Sequence, residues 1–528
     1  MQIKQSTDNQ GQSLYLTTAI PYVNASPHIG FALEVVQADT LARFYRQKGN
    51  DVRLQAGTDE NSIKNVQAAE MAGLSTAKLV ERNAAQFLAL KESLNLSYDD
   101  FIRTSIHKHH KDGATRFWNK CFARGDIYKR PYRGLYCSGC EQFYKPEDLD
   151  EGRCPEHLTE PELVEEENWF FRLSRYQDAL HELYSNNTIK IVPDTRRNEV
   201  LSWINNGLED FSISRSANRA RGWGIPVPGD PEQVIYVWFD ALCNYITALG
   251  YHSDDDEFSQ WWTKSAAREH VVGKGITRFH AVYWPAMLLS ADLPLPTRIL
   301  VHGYVTAEGR KIGKSLGNAV DPIPLAQELG TDALRFFLLK HIRSTEDGDY
   351  SRQRFHQAYN SELVGQLGNL VHRVLRMIEQ YFDGVVPVPP ENFSKGDSLI
   401  RSAEQLPDVV ASHLSQFAFD RALNAIWVLI SDSNRYVNEQ APWELAKAKL
   451  SNDVKATEEA DAQLRGVLYS LSVSLHTIAY CLAPALPETS RTLFEKLCAD
   501  PDSVENSTWK PQRVRSSTPL FERSREYD

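Results

Sequence analysis

Leu14-Tyr-Leu-Thr-Thr-Ala-Ile-Pro-Tyr-Val-Asn-Ala-Ser-Pro-His-Ile-Gly30 is the stretch whose reading decides the fold. Its first seven residues are rich in β-formers and are bounded by Pro21, which predicts a strand from Leu14 to Ile20. Asn24, Ser26 and Pro27 make a turn, after which a helical pattern runs from near His28 to Gly49. Phe31, Val35, Ala38, Leu41 and Tyr45 form its apolar stripe. Val52 to Ala56 reads as a second short strand, followed by Gly57-Thr-Asp59 and then helices to about Leu94. Strand, helix, strand and helix at this spacing predict an α/β fold with a parallel, Rossmann-like sheet.

Further along, the pattern changes twice. From about residue 126 to residue 230 aromatics, Pro, Gly and clustered cysteines suggest an irregular, partly β insertion. Val234 to Phe239 reads as a buried strand, and Val271-Val-Gly273 and Ile299-Leu-Val-His302 resume the rhythm of short strands and glycine turns. Beyond Asp332 the signal is almost all helical, with a Pro-rich connection at Val385 to Pro390. A chain of 528 residues is too long for one core, and two to four domains are expected. No apolar run reaches the ~20 residues needed to span a bilayer. Met1 to Ser13 is polar, without the apolar core of a signal peptide, so a cytoplasmic enzyme without a membrane partner is expected.

The formal net charge of −11 argues mildly against a nucleic-acid binder. Residues 361–528 hold 17 Lys and Arg against 23 Asp and Glu, so any RNA contact there must be local. Of seven cysteines, Cys121, Cys243, Cys481 and Cys498 are scattered, and each reads as a small buried apolar residue. Cys137-x-x-Cys140 followed by Cys154-x-x-His157 is different. Two such pairs supply three thiolates and an imidazole, the donor set of a closed, structural, tetrahedral Zn²⁺ site.

Two motifs carry phosphate chemistry. The strand-to-helix junction around His28 and Gly30 offers unpaired amides and the positive end of a helix to a phosphate chain. Gly309-Arg-Lys-Ile-Gly-Lys-Ser315 is a loop of two lysines and a serine among glycines, suited to charge developing on a phosphate. Taken singly, His28 reads as a helix cap and the loop as a solvated turn. Together the two resemble the HIGH and KMSKS motifs of class I aminoacyl-tRNA synthetases. Asp210-Phe-Ser-Ile-Ser-Arg215, Trp223-Gly-Ile-Pro-Val-Pro228, Tyr236-Val-Trp-Phe-Asp-Ala-Leu242, Gly273-Lys274 and Phe279-His-Ala-Val-Tyr-Trp-Pro285 stand in the order and spacing of the methionyl-tRNA synthetase family. Asp321-Pro-Ile-Pro and Thr331-Asp-Ala-Leu-Arg335 resemble its stem-contact segment. The resemblance runs from about Leu14 to Leu497.

The resemblance implies a class I Rossmann-like catalytic domain with a zinc-knuckle insertion, followed by an all-α anticodon-binding bundle. Its boundaries would be 13–125 and 231–317 for the two halves of the catalytic domain, and 126–230 for the insertion, with the knuckle near 135–160. The stem-contact segment would be 318–360 and the bundle 361–528. It implies a methionine–tRNA ligase that binds ATP with Mg²⁺, L-methionine and a tRNA with a CAU anticodon. His28, Lys311, Lys314 and Ser315 would be catalytic, and His28, Gly30, Lys311 and Lys314 would hold ATP. Ile20, Tyr22, Asp59, Trp238, Ala241, Tyr245, His280 and Trp284 would hold methionine, Asp59 through the ammonium group. Asn369-Leu-Val-His-Arg373 and Trp443 would read the anticodon, by base-edge hydrogen bonds and stacking. The chain has no room for an appended dimerisation module, and a monomer is expected.

Five positions depart from the family pattern. Phe31 replaces the second histidine of HIGH, and Ile312 and Gly313 alter KMSKS. Asn61 stands where histidine is usual after Gly-Thr-Asp-Glu, and Gly275 replaces an acid. These changes fall mainly on the nucleotide side. They are compatible with slowed adenylation, with a repurposed paralogue, or with tolerated variation that is compensated elsewhere. The competing functions are an amino-acid-activating paralogue serving small-molecule biosynthesis and a non-catalytic tRNA-binding or methionine-sensing protein. If Phe31 is simply a lost donor, Phe31→His should speed adenylation. If it belongs to a coordinated repacking, the substitution should lower activity.

Overall fold

The computed structural model describes residues 11–137, 142–155, 158–253, 255–312, 318–390, 393, 398–499, 513–515 and 518–525. The chain forms two compact units, residues 1–302 and 303–528.

The first unit is built on a six-stranded parallel sheet. Its order is Asp100–Arg103 (β3), Asp51–Thr58 (β2), Ser13–Thr18 (β1), then Ala267–Gly273, Arg298–His302 and Lys190–Val192. β1 lies at the centre, where Tyr15, Leu16 and Thr17 are fully buried. That burial on both faces explains its continuous rather than alternating apolar pattern. From β1 the chain winds to β2 and β3 on one side, then restarts at Ala267–Gly273 on the other. The reversal places a topological switch point between the C-terminal ends of β1 and Ala267–Gly273, where open α/β sheets bind ligands.

Helix α1, Ile29–Gln47, follows β1 and packs its Ile29, Leu33, Val36 and Leu41 inward. Ile63–Met71 and Thr76–Ser93 follow β2, each N-capped by a serine, Ser62 and Ser75. The insertion holds a long antiparallel hairpin, Ile127–Cys137 with Glu162–Phe171, extended by Gln142–Tyr144 and Phe211–Ser212.

Three readings of the sequence are corrected here. Val234 to Phe239 is not one strand: Asp230–Ile235 is a strand of a small antiparallel sheet, and Val237–Leu242 is a helix. The run is buried except for a partly exposed Trp238, and continuous apolarity cannot separate a strand from a buried helical turn. The irregular insertion also contributes Lys190–Val192, an edge strand of the central sheet, too short at three residues to show a period. Among the scattered cysteines, Cys121, Cys243 and Cys481 are buried, but Cys498 is partly exposed. It sits at φ 48° just after helix Pro487–Leu497, a position set by the helix end rather than by a core.

The second unit opens on a three-stranded sheet in which Val305–Ala307 pairs antiparallel with Arg310–Lys311 and parallel with Gly348–Tyr350. The rest is helical. Asn369–Phe382 buries Leu370, Val371, Val374, Leu375 and Ile378 along one stripe, and Ser398–Ser415, Phe419–Gln440 and Val454–Leu482 pack on one another. The Pro-rich segment 385–390 is an irregular connection, as its composition predicts.

Candidate active site

His28 is exposed and caps α1, its Nδ1 accepting a hydrogen bond from the Gly30 amide at 3.1 Å. A neutral ring that accepts at Nδ1 carries its proton on Nε2, the tautomer that can donate to a phosphate oxygen. A Cβ at Gly30 would lie 2.9 Å from the imidazole, so glycine is what lets this cap form. The first turn of α1 carries no acid to repel an anion. Glu34, one turn further, accepts from the Ala19 amide at 2.9 Å and meets His302 Nε2 at 2.9 Å. It ties the end of β1 to the end of Arg298–His302, both at the C-terminal edge of the sheet.

The residues expected to hold methionine gather at the same edge. Tyr22 and Asp59 pair as a short parallel bridge beyond β1 and β2, which sets a buried carboxylate beside an aromatic ring. The approach is close: a Cβ on Gly57 would come 2.4 Å from Ile102 O and 2.9 Å from Ile20 Cγ2. The Tyr22 ring meets Trp238 edge-on, with centroids 6.4 Å apart. Ala241 shares the Val237–Leu242 helix with Trp238. Tyr245, His280 and Trp284 form the buried wall, with Tyr245 and His280 ring centroids 5.7 Å apart and Tyr245 and Trp284 6.0 Å apart.

His280 cannot be charged in this wall at neutral pH. Burial pushes its pKa down to about 4. Its Nδ1 lies 3.0 Å from Ile276 O, which can only accept, so the ring proton sits on Nδ1. Nε2 therefore accepts from the Tyr245 hydroxyl at 2.7 Å. His270, behind Tyr245, is held neutral in the same way, its pKa pushed well down by burial. It accepts from Trp284 Nε1 at 3.2 Å and lies 2.7 Å from Thr17 Oγ1. The slot is thus mostly aromatic with neutral imidazoles, and two carboxylates, Glu34 and Asp59, lie near enough to act on Tyr245.

Several supporting residues were not picked out from the sequence. Phe279 stacks flat on Trp238, with centroids 3.8 Å apart and planes within 4°. It sits with His280 in a π-helical turn, Phe279–Tyr283, and such turns often occur at functional sites. Asp240, fully buried, accepts from Asn61 Nδ2 at 2.7 Å and pairs with His110 Nε2 at 2.6 Å. Glu60, also buried, accepts from Arg103 Nε at 2.7 Å and Thr58 Oγ1 at 2.8 Å and binds the Ser105 hydroxyl. Nothing in spacing alone links such distant acids to their partners.

Two of the family departures acquire partners here. Phe31 is half-buried and meets Phe87 of helix Thr76–Ser93 edge to face, with centroids 5.3 Å apart. Asn61 holds Asp240, as above. Gly275 is exposed in a tight turn, Lys274–Ile276.

In the insertion Cys137 and Cys154 are both buried, and Cys154 Sγ lies 3.6 Å from the Tyr144 hydroxyl. Cys140 and His157 lie outside the described residues, and among those described no group of three potential metal ligands gathers. In the second unit the Lys311 backbone pairs with Thr306, while Gly313, Lys314 and Ser315 lie outside the described residues. Asn369 and Arg373 are four residues apart on one helix and share a face. Arg373 lies 5.9 Å from the Trp443 ring and donates to Asn438 Oδ1 at 2.9 Å. Trp443 is 36% exposed, enough to leave part of the ring open for stacking. Among the described residues no helix is long and apolar enough to cross a membrane.

The profile of the family described as tRNA synthetases class I (M) matches residues 14–160 and 144–375. A methionine–tRNA ligase of Caldanaerobacter subterraneus is 41% identical over 500 residues, 94% of this chain and 75% of the relative. That of Brucella melitensis is 41% identical over 93% of each chain. The solved structure of Mycobacterium tuberculosis methionyl-tRNA synthetase in complex with methionyl-adenylate superimposes with a TM-score of 0.90 at 39% identity, covering 97% of this chain and all of that one. With the sheet, the switch point and the aromatic slot in place, these similarities show that the chain belongs to the methionyl group of the class I tRNA synthetases.

Proposed function

We propose that this protein activates methionine with ATP and transfers it to the 3′ end of a tRNA bearing a CAU anticodon. One observation carries the reading: a buried carboxylate, Asp59, at the rim of a mostly aromatic slot at the sheet's switch point. A thioether side chain is flexible and polarizable and favours sulfur–aromatic contacts. A neutral His280 whose Nε2 is occupied by Tyr245 offers that slot no charge to attract a polar amino acid. Asp59 binds the substrate ammonium, and Ile20, Tyr22, Trp238, Ala241, Tyr245, His280 and Trp284 surround the side chain.

His28, through Nε2, and the positive end of α1 at Gly30 receive the ATP phosphates. Lys311 and Lys314 offset the charge developing on the α-phosphate, and Ser315 donates a hydrogen bond to it, as the methionine carboxylate attacks and pyrophosphate departs. Mg²⁺ bound with ATP would supply further charge neutralisation. In the second step the terminal ribose hydroxyl of tRNA attacks the acyl carbonyl and AMP leaves. Both steps need positioning and preorganised charge rather than covalent catalysis.

A zinc ion on Cys137, Cys140, Cys154 and His157 is the structural support proposed for the insertion. The two described thiols fit this role: both are buried, Cys137 at the end of the first hairpin strand and Cys154 in the connection to the second. Asn369, Arg373 and Trp443 read the anticodon. Aminoacylation of a CAU-anticodon tRNA tests the reading: methionine is charged, and changing the anticodon or replacing Trp443 with Ala lowers the rate at least tenfold. Equal charging of other anticodons would overturn the anticodon assignment.

A further inference from the structure

A cavity of about 330 Å³ opens between the insertion hairpin and residues 209–215 and 278–283 of the same unit. It is distinct from the slot that receives methionine but touches it through one residue: Phe279 lines the cavity and stacks on Trp238. Its size falls in the range of small-ligand pockets.

Arg215 makes the cavity unusual. The side chain is only 3% exposed, yet among the described residues no carboxylate pairs with it. Its NH1 donates to Ser212 Oγ at 3.0 Å and Ser214 O at 2.7 Å, and its Nε has no acceptor. The guanidinium lies 4.2 Å from the Tyr236 ring centroid and 5.0 Å from that of Phe143. Burying a cation without a counter-charge is costly, and a ligand anion would remove that cost. Arg278, exposed at the same cavity, lies 5.9 Å from the Tyr283 ring and makes no ion pair among the described residues.

Two acids of the lining already have partners. Glu209 pairs with Lys145 within the cavity wall, and Asp210 accepts from the Ser174 amide and hydroxyl and from the Tyr128 hydroxyl. Asp148 is the remaining acid. The other walls are flat: Phe211 and Tyr283 stack at 4.0 Å, and Tyr132 meets Phe143 edge-on at 4.7 Å. Aromatic faces beside arginines are the chemistry by which proteins hold unpaired nucleotides.

We propose that this cavity is a second nucleotide pocket, which takes one nucleoside monophosphate unit with its base on the aromatic wall and its phosphate on Arg215 and Arg278. The unit comes either from a single-stranded RNA 3′ end or from a free mononucleotide. The RNA source rests on the tRNA reading above, whereas the pocket itself does not.

The test fills the catalytic site of the full-length protein with a non-hydrolysable methionyl-adenylate analogue, then titrates either AMP or the trinucleotide CCA by calorimetry. One further equivalent is expected to bind in at least one arm, and the arm that binds identifies the source. Arg278→Ala and Phe143→Leu are each expected to weaken that binding about tenfold, a change worth ~1.4 kcal/mol. Arg215→Lys, which keeps the charge but not the planar fork, should weaken it as well. No further equivalent in either arm, or binding that ignores both Arg278→Ala and Phe143→Leu, overturns the proposal. ATP–pyrophosphate exchange on the same preparations reports separately on adenylation, so failure of that reading is distinguishable from failure of the pocket.

Discussion

Phe31 stands where a histidine donor is usual in this family, and its ring is packed rather than idle. The edge-to-face contact with Phe87 at 5.3 Å is the kind of pair worth ~0.5–1.5 kcal/mol beyond its buried area. That contact weighs towards coordinated repacking and against a simple lost donor. Phe31→His is expected to lower the unfolding free energy by about 1 kcal/mol in denaturant titrations, without raising the single-turnover rate of adenylate formation. A tenfold faster rate would restore the lost-donor account. Lys314 is argued from its motif alone. Lys314→Ala should lower kcat for adenylation ~10²-fold or more while methionine affinity changes little. Weakened methionine binding with an unchanged adenylation rate would show that the lysine serves a different step. At this scale the sequence names the aromatic residues of the slot but not their partners, because Phe279 on Trp238 and Tyr245 on His280 are contacts between segments that only folding brings together.

Helix Val237–Leu242 shows what the sequence does and does not reveal about elements. Its residues belong to a motif quoted for their identity, yet the run is so uniformly apolar that it reads as a strand. Four of the six central strands were legible, as short apolar runs beside glycine or proline turns. Asp100–Arg103 and Lys190–Val192 were not, since four and three residues carry no period. The Val237–Leu242 helix brings Trp238 and Ala241 to the slot, and Asp240 fastens it to the Asp59–Asn61 loop through Asn61 and to helix Lys108–Ala123 through His110. Removing one member of so buried a pair leaves the other unsatisfied. Asp240→Ala is therefore expected to cost ~3 kcal/mol or more of stability and to raise KM for methionine. An unchanged KM in a folded variant would show that the fastening does not position the slot. For the insertion, elemental analysis should find one zinc per chain, and Cys154→Ala should lower the melting temperature without removing a catalytic group. Zinc-free, fully stable protein would sink the assignment of Cys137, Cys140, Cys154 and His157.

Across the whole molecule, the α/β sheet followed by a helical region was legible from the order of short strands and long periodic helices. What escaped was mainly buried polarity, since a charged or imidazole residue in a sequence does not announce its burial. Two such residues, His270 and His280, have consequences for stability. Both have folded pKa values depressed by burial, His280 to about 4, against ~6.5 in the unfolded chain. Above pH ~6.5 neither state binds the proton and nothing is lost. As pH falls from there towards 4, the unfolded chain takes up protons that the folded one refuses, and stability declines. Each histidine contributes a slope of up to ~1.4 kcal/mol per pH unit in that window. His280→Gln should flatten the decline in unfolding free energy between pH 6.5 and 4 by up to that amount, as read by denaturant unfolding at stepped pH. A variant as steep as wild type would mean that His280 takes up its proton equally in the folded and unfolded states, so that burial does not depress its pKa.

The central claim is that the aromatic slot with Asp59 at its rim selects methionine for activation. ATP–pyrophosphate exchange, measured with each standard amino acid in turn, tests it most directly. Methionine alone should support rapid exchange, and Asp59→Asn should raise the methionine KM at least tenfold. Exchange driven best by another amino acid, or none with any of them, would contradict the account.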